Sequence, residues 1–119
     1  MIISVLVRRL KEGRTHEEFV AEWEADQGFG VPTRVFTAQS LEDPRDVITI
    51  GFVAVSAEEL AEWAASASAP EAVRHERIDS VIESTELRCM YEVHSEHDFT
   101  ALPRLIAAGS EESLLARLV

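Results

Sequence analysis

Alternation of apolar and polar residues along the chain predicts four β-strands. We predict strands over 2–9, 33–40, 47–55 and 85–94, and the run Val-Ile-Thr-Ile-Gly-Phe-Val-Ala-Val makes the third the clearest. A polar turn that contains Pro44 separates the second strand from the third. Strands this close in sequence are expected to pair as a hairpin.

Helical spacing between the strands predicts two helices, and each begins at a capping box. The first box is Thr15 to Glu18 and the second is Ser56 to Glu59. Phe19 opens the apolar stripe of the first helix. Pro70 is expected to break the second helix, because proline lacks the amide hydrogen that the helix needs, with a further short helix over 71–80.

The resulting order, strand–helix–strand–strand–helix–strand, predicts an α+β, ferredoxin-like domain over 1–98. Right-handed crossovers would place both helices on one face of a four-stranded antiparallel sheet. A tail over 99–119 would follow, with a possible short helix from Ser110 to Leu118.

The predicted strands carry apolar residues on both of their faces, which predicts a second covering layer. In the third strand Ile48 and Phe52 alternate with Val47 and Val53. Two helices on one face leave the other face uncovered, and a large wet apolar face is unusual for a monomer. We therefore expect a homodimer formed through the sheet face. The alternative is that the tail folds across this face.

Charge and cysteine content exclude several classes of partner. The 119 residues include 22 acidic and 11 basic residues, for a net charge of -11. This balance argues against nucleic-acid and membrane-surface binding, since both need clustered lysine and arginine. A single cysteine, Cys89, permits no intramolecular disulfide, so a reducing, cytoplasmic location is expected.

The first predicted helix carries the motif Glu18-Phe19, then Trp23, then Gln27, and this motif resembles the dimeric α+β barrel superfamily. Its members include EthD-like, NIPSNAP-like, antibiotic-biosynthesis-monooxygenase-like and stress-responsive barrel proteins. The resemblance implies a ferredoxin-like fold, face-to-face sheet dimerisation and a pocket between sheet and helices. Several members have a histidine where this chain has Gln27, which puts chemistry that needs that imidazole in doubt.

Four residues are candidates for binding a ligand in such a pocket. Trp23 and Trp63 would stack on a flat ligand, although helix-to-sheet core packing is the alternative for both. Gln27 and Phe29 lie where the first helix closes, and the Gly-Phe-Gly run there is also typical of a simple chain reversal.

Three residues are candidates for catalysis. His75 would act as a general base, or would lie on a solvated helix face among charged neighbours. Arg34 would anchor an anion or carbonyl if it faces inward, or would be an edge-strand charge. Tyr91 would hydrogen-bond a ligand from the barrel interior, or would be a buried structural tyrosine.

Metal and cofactor chemistry have little support in the sequence. His94 to Asp98 offers two imidazoles and two carboxylates, but the spacing is loose for a metal site and a solvated turn is the simpler interpretation. No HExxH, CxxC or nucleophile-elbow pattern is present. We expect neither a metal nor a cofactor.

Three functions are compatible with these features. The first is a cofactor-independent oxygenase or isomerase that acts on a small apolar or aromatic substrate, as the resemblance implies. The second is a non-catalytic dimer with a ligand-binding, structural or stress-related role. The third, a haem-using barrel, ranks last because no histidine is clearly placed on a core-facing helix position.

Overall fold

The computed structural model describes residues 1–23 and 28–118, which form an α+β domain with a four-stranded antiparallel sheet, as predicted. Its elements are β1 Ile2–Leu10, α1 His16–Glu22, β2 Thr33–Gln39, β3 Asp46–Val53, α2 Leu60–Asp79, β4 Ile82–Glu92, β5 Glu96–Asp98, β6 Arg104–Ile106 and α3 Leu114–Leu118.

The main sheet has the strand order β2-β3-β1-β4. The predicted hairpin of β2 and β3 is confirmed, and Val5 of the central strand lies opposite Ile50 of β3 and Cys89 of β4. Strand β4 begins three residues earlier than predicted. Ile82 is buried and pairs with Leu10, so packing in the core extends the strand to this residue.

The first face of the sheet, called here the covered face, packs against both helices. Phe19 of α1 and Ile78 of α2 are fully buried in one cluster with strand residues Leu10 and Val47. A second cluster at the other end of the face joins the following residues: Ile2, Val53, Val55, Val31, Leu60, Trp63.

The second face of the sheet, called here the open face, carries the alternate strand residues. Phe36 and Tyr91 are 47% and 48% exposed. Phe36 meets Phe52 edge to face, with ring centroids 5.9 Å apart. The registers place the following residues together on this face: Ile3, Val5, Val7, Arg34, Phe36, Ala38, Ile48, Ile50, Phe52, Leu87, Cys89, Tyr91.

Helix α1 begins as predicted, whereas the predicted break in the second helix at Pro70 is wrong. The hydroxyl of Thr15 accepts from the amide of Glu18, and the Glu18 carboxylate accepts from the amide of Thr15. Helix α2 continues through Pro70. The lost hydrogen bond is offset because alanine-rich turns flank the proline and because Trp63 and Ile78 anchor the two ends on the sheet.

The tail contains more structure than predicted. A hairpin of β5 and β6 spans the expected domain boundary at residue 98, and the predicted turn at 94–98 is part of it. The terminal helix begins only at Leu114, because the Glu96 carboxylate accepts from the Ser113 hydroxyl and the Leu114 amide at its first turn. No helix in the described ranges is long and apolar enough to cross a membrane.

Candidate functional site

A cavity of about 620 Å³ lies between the covered face and α2. Such a volume is typical of small-molecule sites. Small side chains at Ala64, Ala67 and Ala72 on α2 leave this space above the sheet, and Gly51 of β3 adds no side chain to the floor. The alanine- and serine-rich sequence of the helix thus keeps the cavity open where larger residues would fill it.

Aromatic side chains form one wall of the cavity. The Trp63 indole donates from Nε1 to the Phe29 carbonyl at 2.7 Å, which ties α2 to the segment before β2. The Arg74 guanidinium lies over the rings of Phe29 and Trp23, 4.6 Å and 5.2 Å from their centroids. Two aromatic rings thus pack against one buried positive charge through cation–π contacts.

Glu71 and His75 line one end of the cavity, and Arg8, outside the lining, extends their contact to a row of three polar side chains. Arg8 Nη2 is 3.0 Å from His75 Nδ1, and His75 Nε2 is 3.2 Å from a Glu71 oxygen. A guanidinium only donates, so Nδ1 accepts and the ring proton is on Nε2. His75 in this arrangement is a neutral imidazole held between a cation and a carboxylate.

Burial and nearby charges shift the pKa values of Glu71 and Arg8, two of these three side chains. Burial acts to raise the pKa of Glu71, but the hydrogen bond from His75 and the charge of Arg74 outweigh it and lower the pKa. Burial also lowers the pKa of Arg8, and the charge of Arg88 adds to that effect while Asp79 opposes it. Glu71 is therefore the ionised partner that holds this end together.

Several hydrogen-bond donors around the cavity have no acceptor among the described residues. Thr49 Oγ1 and Trp23 Nε1 are buried without a partner, and so is Nη1 of Arg8, whose residue is only 2% exposed. Arg88 lines the cavity with an exposed side chain and forms no hydrogen bond or ion pair within the described part of the chain. Buried polar groups are usually satisfied, so the buried atoms of Thr49, Trp23 and Arg8 are unusual.

The structure brings four of the seven predicted site residues to this cavity: Trp23, Phe29, Trp63 and His75. Arg34 lies on the open face instead, opposite Phe52, and so does Tyr91, opposite Ile3. Gln27 lies outside the described residues.

Sequence reasoning did not single out Arg8, Glu71, Thr49 or Arg88 as site residues. A signal for Arg8 existed, because it shares one face of β1 with the apolar Ile2 and Leu6, where a charge needs a partner. Glu71 and His75 have the i,i+4 spacing that joins side chains on a helix. The unpaired state of Thr49 depends on what packs above it, which no local pattern encodes.

The acidic and histidine-rich run at 94–98 belongs to the tail. Its Asp98 carboxylate accepts from Thr100 and contacts Arg104, while Glu96 binds the start of α3. Among the described residues, no group of three or more histidine, cysteine, aspartate or glutamate side chains is placed to hold a metal ion.

In comparisons with known proteins, no protein-family model, no curated protein and no solved structure matches this chain.

Proposed function

We propose that this chain is a small-molecule-binding protein that takes a flat, largely apolar molecule into the cavity between the sheet and α2. The observation that carries the proposal is the cavity itself, with aromatic side chains on one wall and the polar pair His75 and Glu71 at one end. Binding sites for small molecules typically combine an apolar lining with a few convergent polar groups.

The proposal includes a ferredoxin-like fold that pairs through the open face into a dimeric α/β barrel. Four strands about 4.8 Å apart and about eight residues long have a flat area of roughly 500 Å². Protruding side chains increase the surface beyond this value. This approaches the roughly 800 Å² per partner of a standard interface. The apolar character of the open face supports this pairing, because at about 25 cal/mol per Å² its burial is strongly favourable.

The two tryptophans allow a direct test of the cavity, because the chain has only Trp23 and Trp63 and both line it. We expect 2-naphthamide or 2-naphthoate to bind once per chain by calorimetry and to quench tryptophan fluorescence. Native mass spectrometry of freshly purified protein would report a retained ligand and the dimer together.

A cavity-filling variant provides the control for this test. A Cβ added at Gly51 would meet its nearest atoms, Ser4 Cβ and Val35 Cγ2, at 3.6 and 3.9 Å, so Gly51→Leu fits at its first atom and directs the rest into the cavity. We expect this variant to abolish probe binding and Trp23→Ala to weaken it. No binding of either probe to the wild type, or unchanged binding to Gly51→Leu, would contradict the proposal.

A cofactor-independent isomerase or oxygenase is the second candidate, favoured by the hydrogen bond between His75 and Glu71. A carboxylate that orients an imidazole is a typical support for a general base, and Nδ1 would accept the proton once the substrate displaces the Arg8 guanidinium from it. Catalysis would then begin with proton removal from a carbon next to a carbonyl.

The proton-transfer step can be tested without the natural substrate. We expect the wild type to accelerate exchange of the methyl protons of 2-acetonaphthone in D2O, followed by NMR, and His75→Gln to lose the acceleration. Equal exchange rates with both proteins would remove the catalytic candidate and leave the binding function.

A further inference from the structure

We propose that the ligand carries a carboxylate, bound at the part of the cavity that Thr49 and Arg88 line. This inference rests on the proposed binding function and names the chemical class of its ligand. Its basis is that the buried polar atoms of the cavity lining without a partner among the described residues, Thr49 Oγ1 and Trp23 Nε1, can both donate a hydrogen bond.

The donors come from three different elements of the fold. Thr49 of β3 has a buried hydroxyl without a partner, and Trp23 after α1 has a buried indole N–H without one in the described ranges. Arg88 of β4 also lines the cavity and has no hydrogen-bond or ion-pair partner among the described residues. A buried donor without an acceptor costs free energy, so a ligand that supplies acceptors recovers that cost.

The carboxylate and imidazole acceptors of the site are already in use. The Glu71 carboxylate accepts from Arg74 through one oxygen and contacts His75 through the other. His75 Nδ1 accepts from Arg8. A ligand that donates to Glu71 or to His75 Nδ1 would have to compete with these contacts, whereas a ligand with acceptors meets the buried Thr49 and Trp23 donors, which have no partner among the described residues.

Charge narrows the ligand to an anion of low charge. Arg8 and Arg88 lie close enough to lower the pKa of Arg8 by mutual repulsion, and Arg88 has no ion-pair partner in the described part of the chain. Glu71 and Asp79 offset part of this positive charge. A monoanionic carboxylate fits the remainder, and arginine binds carboxylates in paired hydrogen bonds.

The sheet register places these groups on adjacent positions of one surface. Leu6 lies opposite Thr49 on one side and Arg88 on the other, and Arg8 is the next residue of β1 on the same face. The carboxylate would lie over this row, with the apolar body of the ligand towards Trp63.

Two isosteric probes separate this inference from the binding function on which it rests. We expect the wild type at pH 7 to bind 2-naphthoate at least about tenfold more tightly than 2-naphthamide, the scale of one charge-assisted hydrogen bond. Arg88→Gln should bring the two affinities to within about threefold. Arg117→Gln makes the same charge change on α3, outside the cavity lining, and should keep the preference.

Thr49→Val gives a second readout that a purely structural role would not produce. The substitution preserves shape and removes a buried unpaired hydroxyl, so the thermal midpoint should hold or rise while 2-naphthoate binding weakens severalfold. Equal affinity of the two probes for the wild type, or a preference that survives in Arg88→Gln, would overturn the carboxylate assignment alone. Failure of both probes to bind would overturn the binding function together with it.

Discussion

The two faces of the main sheet are built from alternate residues of the same strands, yet they differ in what lies above them. On the covered face, Val47 and Val53 are 2% exposed beneath the helices. On the open face, Phe36 and Tyr91 remain nearly half exposed although their neighbours are equally apolar. Hydrophobicity alone therefore does not determine burial here. An apolar strand residue is buried only where another element packs over its face of the sheet.

The covered face is itself divided between core and cavity. At one end of this face Leu10, Phe19 and Ile78 form a fully buried cluster, whereas the middle of the face lies under the small residues of α2. The polar residue Thr49 lies in this middle region, and Arg8 lies at its border with the core, opposite Val47. The covered face is thus less closely packed where its polar residues lie, which is typical of binding sites.

The largest expected effect is from a charge on the covered face. Val47→Asp places a carboxylate among fully buried apolar residues, so we expect a loss of more than about 4 kcal/mol in the free energy of unfolding. Circular dichroism during urea titration measures it. A variant that folds with nearly wild-type stability would show that the covered face is not the core.

The same substitution one residue later should act on association instead of folding. Ile48→Asp lies on the open face, so we expect a folded chain whose dimer dissociation constant rises about 100-fold, because pairing must now bury a carboxylate. Leu41→Asp, in the exposed turn between β2 and β3, is the matched control. Equal association of all three proteins in sedimentation equilibrium would contradict pairing through this face.

Acid should weaken the polar end of the cavity. Folding lowers the pKa of Glu71, so its stabilisation is present above its ordinary pKa of 4.5 and is lost as the pH falls through the folded-state value. Glu71→Gln should lower the free energy of unfolding at pH 7 by about 1 to 2 kcal/mol and flatten its acid dependence.

Glu76→Gln provides the comparison for that pH series, because Glu76 is an exposed carboxylate on the same helix. Urea unfolding at about five pH values between pH 3 and pH 7 gives, for each variant, the slope of the free energy of unfolding against pH. An acid slope in Glu71→Gln equal to that of the wild type would remove Glu71 from this role.

The smallest expected effect is on the aromatic wall. Trp63→Phe removes the N–H that binds the Phe29 carbonyl and should cost about 1 kcal/mol in the free energy of unfolding. Probe affinity should also fall modestly, as measured by calorimetry. Unchanged stability and affinity together would show that this hydrogen bond does not support the cavity.

Local sequence patterns predicted the elements of the sheet better than the site. Alternation placed Ile48, Ile50 and Phe52 on the face opposite Val47 and Val53, and the register confirms this division. The Thr15 capping box was equally legible, because its partners are three residues apart. Pro70 was misjudged because packing over a 20-residue helix outweighs one missing hydrogen bond.

The site was only partly predictable because its polar contacts join residues far apart in sequence. Trp23, Trp63 and His75 were identified by type, and all three reach the cavity. The contact of His75 with Arg8 spans 67 positions and depends on how α2 lies on the sheet. Arg34 and Tyr91 were candidates because their residue types suit a site, and strand register alone decides that they lie on the other face.

Sedimentation equilibrium of the wild-type protein at micromolar concentration tests most directly whether the open face has a partner. We predict a single species with twice the mass of one chain. A folded species with the mass of one chain throughout the concentration range would show that the open face stays in water, and the proposed barrel would be wrong.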